Sequence, residues 1–534
     1  MPLTLKELIV VLTLSIPVFH FARPYAVLFM STADYSRRRQ VWWALTCAFF
    51  LSPNFWIFAT LAVFIVAFAA RKDSNPGALY LFLLLSVPPA GLHVPMIGIR
   101  YLFHLDFYIL LSFCILVPIA LRWMRSAPGS RNRGLRIADY SLAAFGVLTS
   151  ILYVRLQDPG GNLYPVTVTD CLRRAFEFYF ALFIPYYVIS RSITQRSALA
   201  EVLAVFCLGC ALMSVTALFE SARTWLLYPD VLNMWGVPST TYVMRSNVLR
   251  AMASSAHPLV LGYDLAIALG FWLSLQYSVE VPRRRLYFSI LLWLGLFASY
   301  SRGPWVGAIA IYFLFAWLSP GRFKKIFQAL AAAIGAVGLL SLTPLADRII
   351  RVIPFLGGTV DSSNIDYRQR LFERSWEIIQ ESPMLGDQAA RLKMQDLKQG
   401  EGIIDMINTY LQILLDNGFL GLSLFLIFIV IPTLRTLAVS RQLAGSDPRS
   451  SQLGASLVAC TVGTLIMIES GGCDRAMVSV LVGLMAAYVC MDAPRTASAA
   501  TRARAPRPRS KSASPARPTD ALSRELGSIG EPEP

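Results

Sequence analysis

Four arginines, Arg250, Arg302, Arg368 and Arg370, have the clearest chemical use in this 534-residue chain. A guanidinium group makes paired hydrogen bonds to phosphate oxygens, so several together would form a pocket for a diphosphate. Arg302 lies in Ser-Tyr-Ser-Arg-Gly-Pro-Trp, a very tight turn between two apolar runs. A charge held there is expensive unless it is paired, which marks it as functional. The competing reading of all four is ion pairing with nearby acids and snorkelling to lipid headgroups. His257-Pro258 opens an apolar run. Its imidazole is either a base near neutral pH or a helix-opening group, and the structural role is slightly favoured. Asp405 precedes Asn408, Thr409 and Tyr410 at the start of another apolar run. Asn408 suits a helix N-cap. Asp405 either orients or deprotonates a hydroxyl, or simply favours the helix dipole. Asp416 and Asn417 fall deeper in that run, where polar groups need partners. Ser301 has no His and Asp partners in sequence, and its hydroxyl reads as capping or hydrogen bonding. The Cys207-x-x-Cys210 pair sits inside an apolar run, where packing explains it and no metal is expected.

These residues need helices to position them, and composition says the helices are in a membrane. Hydrophobic residues make up 55% of the chain and charged ones 15%, while the four histidines leave little imidazole chemistry. The net charge of +16 suggests nucleic acid at first. However, the basic clusters recur in short stretches between apolar runs, which is the positive-inside pattern of a multi-pass membrane protein. A spanning helix needs roughly 20 apolar residues. The chain offers runs for a bundle of about 12–14 transmembrane helices, an all-α polytopic fold. Clear cores are Leu102–Leu121, Tyr140–Val154, Phe176–Ile189, Ala198–Phe219, Leu259–Tyr277, Leu286–Ser299, Trp305–Leu318, Phe327–Leu342, Leu411–Ile431, Leu453–Ile468 and Val478–Cys490. Three or four shorter segments precede Asn75. No cleavable signal peptide is evident, and the first apolar run reads as a membrane helix.

Basic stretches at Arg37–Arg39, Arg71-Lys72, Arg122–Arg136, Arg191–Arg196, Arg283–Arg285, Arg322–Lys325 and Arg435–Arg449 set the cytoplasmic side. Two long loops then fall outside the cytoplasm, 221–257 and 343–408. The four arginines above lie on that side, as do Arg245, Arg348, Arg351, Arg155, Arg173, Arg174 and Arg223, so breaking the charge rule does not by itself make a site. Within the second loop, Asp366–Glu381 reads as an amphipathic helix carrying Leu371, Ser375, Ile378 and Ile379 on one face and ending at Pro383 and Gly386. The chain divides into transmembrane helices over 1–342, the large loop 343–408, C-terminal transmembrane helices over 409–491, and a disordered, basic, cytoplasmic tail over 492–534. Long loops more often carry function than packing.

Four stretches, taken in order, resemble the O-antigen ligase and Wzy-type polysaccharide polymerase superfamily. They are Arg250-Ala-Met-Ala-Ser-Ser-Ala-His257-Pro258-Leu-Val-Leu-Gly262; Ser301-Arg302-Gly303-Pro304-Trp305; Arg370-Leu-Phe-Glu-Arg-Ser-Trp376 running on to Ser382-Pro383-Met-Leu-Gly386; and Asp405-Met-Ile-Asn408-Thr-Tyr410-Leu-Gln-Ile-Leu-Leu-Asp416-Asn-Gly418. The resemblance implies a polyprenyl diphosphate-linked glycan as donor and a glycan hydroxyl as acceptor, joined outside the cytoplasm with no cofactor or metal. It implies diphosphate binding by Arg250 and Arg302, less surely by Arg370 and Arg368, with His257, Asn408 and Tyr410 in support. Similar ligases carry His-Asn where this chain has Ile407-Asn408, and isoleucine cannot move a proton. Catalysis is therefore expected to fall to Asp405 and to arginines that stabilise the leaving group, Arg302 above all.

The expected activity is polymerisation of lipid-linked repeat units into an exopolysaccharide or O-antigen in the bacterial inner membrane. Ligation of a lipid-linked glycan to another acceptor, such as lipid A core, is the alternative. A polysaccharide transporter is a third reading, against which the chain shows no repeated broken helices. Membrane lipids and a chain-length regulator are the further partners expected, and nucleic acid is not.

Overall fold

The computed structural model describes residues 2–98, 101–125, 134–156, 166–237, 244–245, 248–320, 362–398, 404–469, 471 and 475–491. The expected helix Phe327–Leu342, the first part of the large loop and the basic tail lie outside the described residues.

The protein is an all-α polytopic membrane protein. Helices α1 (Leu3–Ala26), α2 (Thr32–Leu51), α3 (Phe55–Lys72) and α4 (Pro76–Ser86) come first. A short antiparallel hairpin of β1 (Gly91–His93) and β2 (His104–Asp106) follows. Next come α5 (Phe107–Arg125), α6 (Arg136–Leu152), and α7, which runs Val168–Phe178, Tyr179–Phe183 and Ile184–Ser192 without interruption. Then come α8 (Arg196–Arg223), α9 (Pro229–Met234), β3 (Met244–Arg245) and β4 (Val248–Leu249), α10 (Pro258–Leu275), α11 (Pro282–Ala298) and α12 (Arg302–Leu318). The loop helix α13 (Ser362–Glu381) precedes α14 (Thr409–Leu443), α15 (Pro448–Met467) and α16 (Arg475–Cys490). Among the described residues, eight helices are long and apolar enough to cross a membrane, and three more apolar helices are shorter.

Helix starts follow local chemistry. Asn54, Asn75, Asp106, Asn408 and Asp447 each accept a first-turn backbone N–H through the side chain, relieving donors that a helix end leaves orphaned. The most enclosed spans are Arg196–Arg223 and Pro258–Ser278, each 83% buried against 39% for Leu3–Ala26. Hence α8 and α10 form the centre and the others surround them. Cys207 and Cys210 lie between these two helices, their thiols reaching the Ala268 and Asp264 carbonyls at 3.5 Å.

Two expectations change. Leu102–Leu121 is not all helix, because Val94 and Leu102–Phe103 exchange backbone bonds that extend the hairpin, and α5 begins only at Phe107 behind its Asp106 cap. Arg37–Arg39 lie within α2 and not in a loop. Arg38 is fully buried there, with Nη2 2.7 Å from both Asp73 and Glu201. Arg191 pairs with Asp139 at 2.6 Å at the same end of the bundle, so several arginines of the basic pattern are structural.

Candidate functional site

At the opposite end of the bundle, α11 turns into α12 through three residues. Tyr300 adopts φ +44°, a left-handed conformation that a side chain resists. The Trp305 indole donates to the Leu296 carbonyl at 3.1 Å and closes the turn. Ser301, almost fully buried, does not cap α12. Its hydroxyl instead accepts from Arg250 Nη2 at 2.9 Å and sits 3.0 Å from the Ser299 carbonyl. Arg250 thus reaches the residue directly before Arg302. Both guanidinium groups have a buried Nε with no hydrogen-bond partner, and neither forms an ion pair among the described residues. Burial pushes the Arg250 pKa below the ordinary arginine value. Two half-buried cations at one rigid turn are costly unless an anion joins them.

The segment carrying Arg250 is held by a carboxylate that the sequence reading missed. Glu220, wholly buried near the end of α8, accepts the Met252 and Ala253 N–H groups at 2.9 and 2.8 Å and the Leu227 N–H at 3.1 Å. Ala253 and Ala256 are bent into positive φ on this framework. Backbone strain of this kind persists only where the surroundings over-determine it, and it clusters at functional sites. Glu220 sits at the end of an apolar run, so only its isolation among hydrophobic residues could have signalled it.

His257 caps α10, its Nδ1 accepting the Leu259 N–H at 3.1 Å. Burial, and then the neighbouring Arg250, push its pKa down to about 4, so the ring is neutral. Gly262, one turn along, lets α12 approach, since a Cβ there would stand 2.6 Å from Pro304 Cγ.

The acidic side of the site is built by α13 and the start of α14. Tyr367 donates its hydroxyl to the Asp405 carbonyl at 3.1 Å. Leu371, Ser375, Ile378 and Ile379 are buried, as their spacing predicts. Asp405 opens to solvent on one side and is packed by protein on the other. That packing lifts its carboxyl above the usual carboxylate range, while Arg368 pulls it back. Arg368 and Arg370 are exposed, and Arg370 donates to the Asp366 carbonyl at 3.4 Å. Asn408 caps α14 through Leu411 N–H at 3.1 Å, and Tyr410 ties to the Leu465 carbonyl at 2.8 Å. Thr409 binds the Ile468 carbonyl while Tyr263 of α10 binds that of Met467, so both helix mouths rest on the end of α15. The structure therefore joins Arg250, Ser301 and Arg302 at one turn and Arg368 and Asp405 at another. Ile407 packs into the apolar cluster under α13.

Helix α14 breaks at Gly418 (φ +63°, ψ −170°), and the loop fills the break. Phe419 and Leu420 N–H groups bind the Pro383 and Met384 carbonyls at 2.8 and 3.2 Å, and Asp387 N–H binds the Leu415 carbonyl at 2.6 Å. Asn417 finds its partner in Thr149 at 3.1 Å.

Residues 287–426, from within α11 into α14, match the family model described as O-antigen ligase. This stretch is similar to the O-antigen ligase family. It includes Arg302, Arg368, Arg370 and Asp405, while Arg250 and His257 precede it. The O-antigen ligase match places the chain among membrane enzymes of polysaccharide assembly. No curated protein matches the chain.

Proposed function

We propose that the protein polymerises polyprenyl diphosphate-linked repeat units into an exopolysaccharide or O-antigen at the outer face of the bacterial inner membrane. The observation that carries this reading is the pair of half-buried guanidinium groups of Arg250 and Arg302 at one turn, neither in an ion pair among the described residues, with Arg250 held on Ser301. They suit a diphosphate that leaves with its negative charge. An acceptor hydroxyl attacks the anomeric carbon, and the bond to the diphosphate oxygen breaks. The electron pair departs on the polyprenyl diphosphate beside the arginines, and the hydroxyl proton passes to Asp405 and then to solvent. Direct displacement inverts the anomeric centre. Arg368 and Arg370, on the loop helix, meet the donor or acceptor from above. The polyprenyl chain stays among membrane lipids, and a chain-length regulator is a further partner.

Polymerisation is favoured over ligation because Ile407 occupies the place of the ligase histidine. Ligation to another acceptor is kept as the second reading on the strength of the O-antigen ligase match. The test is glycan analysis of a deletion strain complemented with wild type or Arg302→Ala. Accumulation of one lipid-linked repeat unit, unrescued by Arg302→Ala, supports a polymerase that grips diphosphate. Full-length polymer left on its lipid carrier supports a ligase, and unchanged glycans in every strain refute both.

A further inference from the structure

A second polar cluster stands at the same end of the bundle, outside the O-antigen ligase match. Across the hairpin, His93 pairs with His104, their rings 5.0 Å apart. His93 is exposed and lies over Tyr101 at 4.2 Å, and the Arg173 guanidinium backs that tyrosine at 4.3 Å. Glu177 of α7 faces Arg174, His104, Asp106 and His93. Arg174 in turn lies over the Tyr153 ring at 5.8 Å.

This cluster has hydrogen-bonding capacity that the described residues leave unused. Glu177, Arg174 and His93 make no hydrogen bond among the described residues, and His104 Nδ1 is buried without one. Asp106 is different, because it caps α5 through the Ile109 N–H at 2.7 Å. Partly buried polar groups without partners are rare, and each asks for a ligand or water. A half-buried carboxylate with no hydrogen bond among the described residues asks for one all the more. Directly below, α5 and α7 each contain a π-helical turn, Ser112–Leu116 and Tyr179–Phe183, and the two turns meet with Phe113 stacked on Phe180 at 4.5 Å. Such insertions are frequent at functional sites because they re-aim side chains within an otherwise regular helix.

The chemistry selects the ligand class. No three His, Cys, Asp or Glu side chains among the described residues stand where they could hold a metal ion. A phosphate would meet the Glu177 carboxylate. A lipid tail would bury all four polar groups without partners. A sugar fits, since its hydroxyls both donate to a carboxylate and accept from a guanidinium or imidazole, while its C–H face packs on flat rings.

Hydrogen bonds also tie the elements that flank the cluster to the segment following Arg250 and to the loop. Ser254, in the segment that follows Arg250, donates to the Leu85 carbonyl at 2.7 Å, near the end of α4 that feeds the hairpin. On the other flank, Arg155 reaches the Gly386 carbonyl at 3.4 Å, where the loop enters the break in α14.

We propose that His93, Tyr101, Tyr153, Arg174 and Glu177 form a subsite for the sugars of the acceptor glycan, an inference that rests on the glycan-joining reading above. Full-length protein in nanodiscs is titrated with two probes. One is the glycan released by mild acid from the producing strain's lipid-linked pool, which carries neither diphosphate nor lipid. The other is farnesyl diphosphate. Glu177→Gln and His93→Ala are expected to weaken released-glycan binding by about tenfold or more, the scale of one charge-assisted hydrogen bond, and to leave farnesyl diphosphate within about twofold. His93→Gln, which keeps a side-chain hydrogen-bonding group, restores most of the loss. Arg302→Ala does the reverse, weakening farnesyl diphosphate alone. Glycan binding that is absent in wild type, or unchanged in both variants, overturns the subsite, as does parallel loss of both probes. Farnesyl diphosphate binding unaffected by Arg302→Ala overturns the diphosphate reading and leaves the glycan result to be judged by itself.

Discussion

Replacing Glu220 by glutamine tests whether one buried carboxylate sets the position of Arg250. In the native protein one oxygen takes the Met252 and Ala253 N–H groups and the other takes Leu227 N–H. Glutamine keeps one acceptor and turns the other into an NH2 group that faces a backbone donor. At least one bond to a charged group is lost, about 1.5–3 kcal/mol, with a buried N–H left unsatisfied. The segment would not unfold outright. Ala251 N–H still binds the Ala298 carbonyl, and Ser254 still binds Leu85. The loss should therefore appear as local opening, about tenfold to a hundredfold more frequent. Hydrogen exchange by mass spectrometry on the peptide spanning 250–256 reads this directly, and farnesyl diphosphate affinity should fall by a similar factor if Arg250 binds the diphosphate. Unchanged exchange in that peptide refutes the argument at its root. Faster exchange with unchanged affinity keeps Glu220 as a brace and removes Arg250 from the diphosphate site.

Asp405→Asn should abolish the rise in glycan-joining rate that wild type shows as pH increases through the raised pKa of this carboxyl. Full activity in that variant removes Asp405 as the base. His257 has a folded pKa of about 4 against an ordinary value near 6.5, so the unfolded chain binds the extra proton between these limits. Its contribution to stability is complete above about pH 6.5 and shrinks as pH falls toward 4; thermal melts should show this dependence reduced in His257→Asn, which keeps a capping acceptor. Gly418→Ala places a Cβ 2.3 Å from the Met384 backbone at positive φ, so strain of about 1–3 kcal/mol adds to a clash, and detergent melts should show a clear loss of stability. A melt equal to wild type would mean that the loop does not fill the break in α14.

The membrane helices were legible because apolar runs and their basic flanks are chain-local signals. The turn at Arg302 was legible for the same reason, since only three residues separate the helices. Asn417 was marked as needing a partner, although Thr149 could not be named, because 268 positions separate them. Other features depend on contacts the sequence does not display. The hairpin hides inside an apolar stretch that satisfies a helix criterion equally well. The π turns leave no compositional trace. Glu220 binds backbone groups, whose identity is the same in every residue, so no side-chain pattern announces them. The loop arginines were the weaker diphosphate candidates in sequence, and the structure leaves Arg368 and Arg370 exposed on α13 while Arg250 and Arg302 are partly buried at the turn.

The buried Arg38 carries a consequence for how the chain is made. Its partner Asp73 emerges from the ribosome soon after it, but Glu201 follows 163 residues later. Until α8 is synthesised, the Arg38–Asp73 pair lacks its second carboxylate, and Asn75 lacks the Glu201 oxygen it meets at 2.9 Å. The first three helices therefore cannot settle into their final arrangement as they are inserted. They must wait, loosely associated, for the central helix to arrive, and a nascent chain stalled before Glu201 should expose this end of the bundle to quality-control proteases.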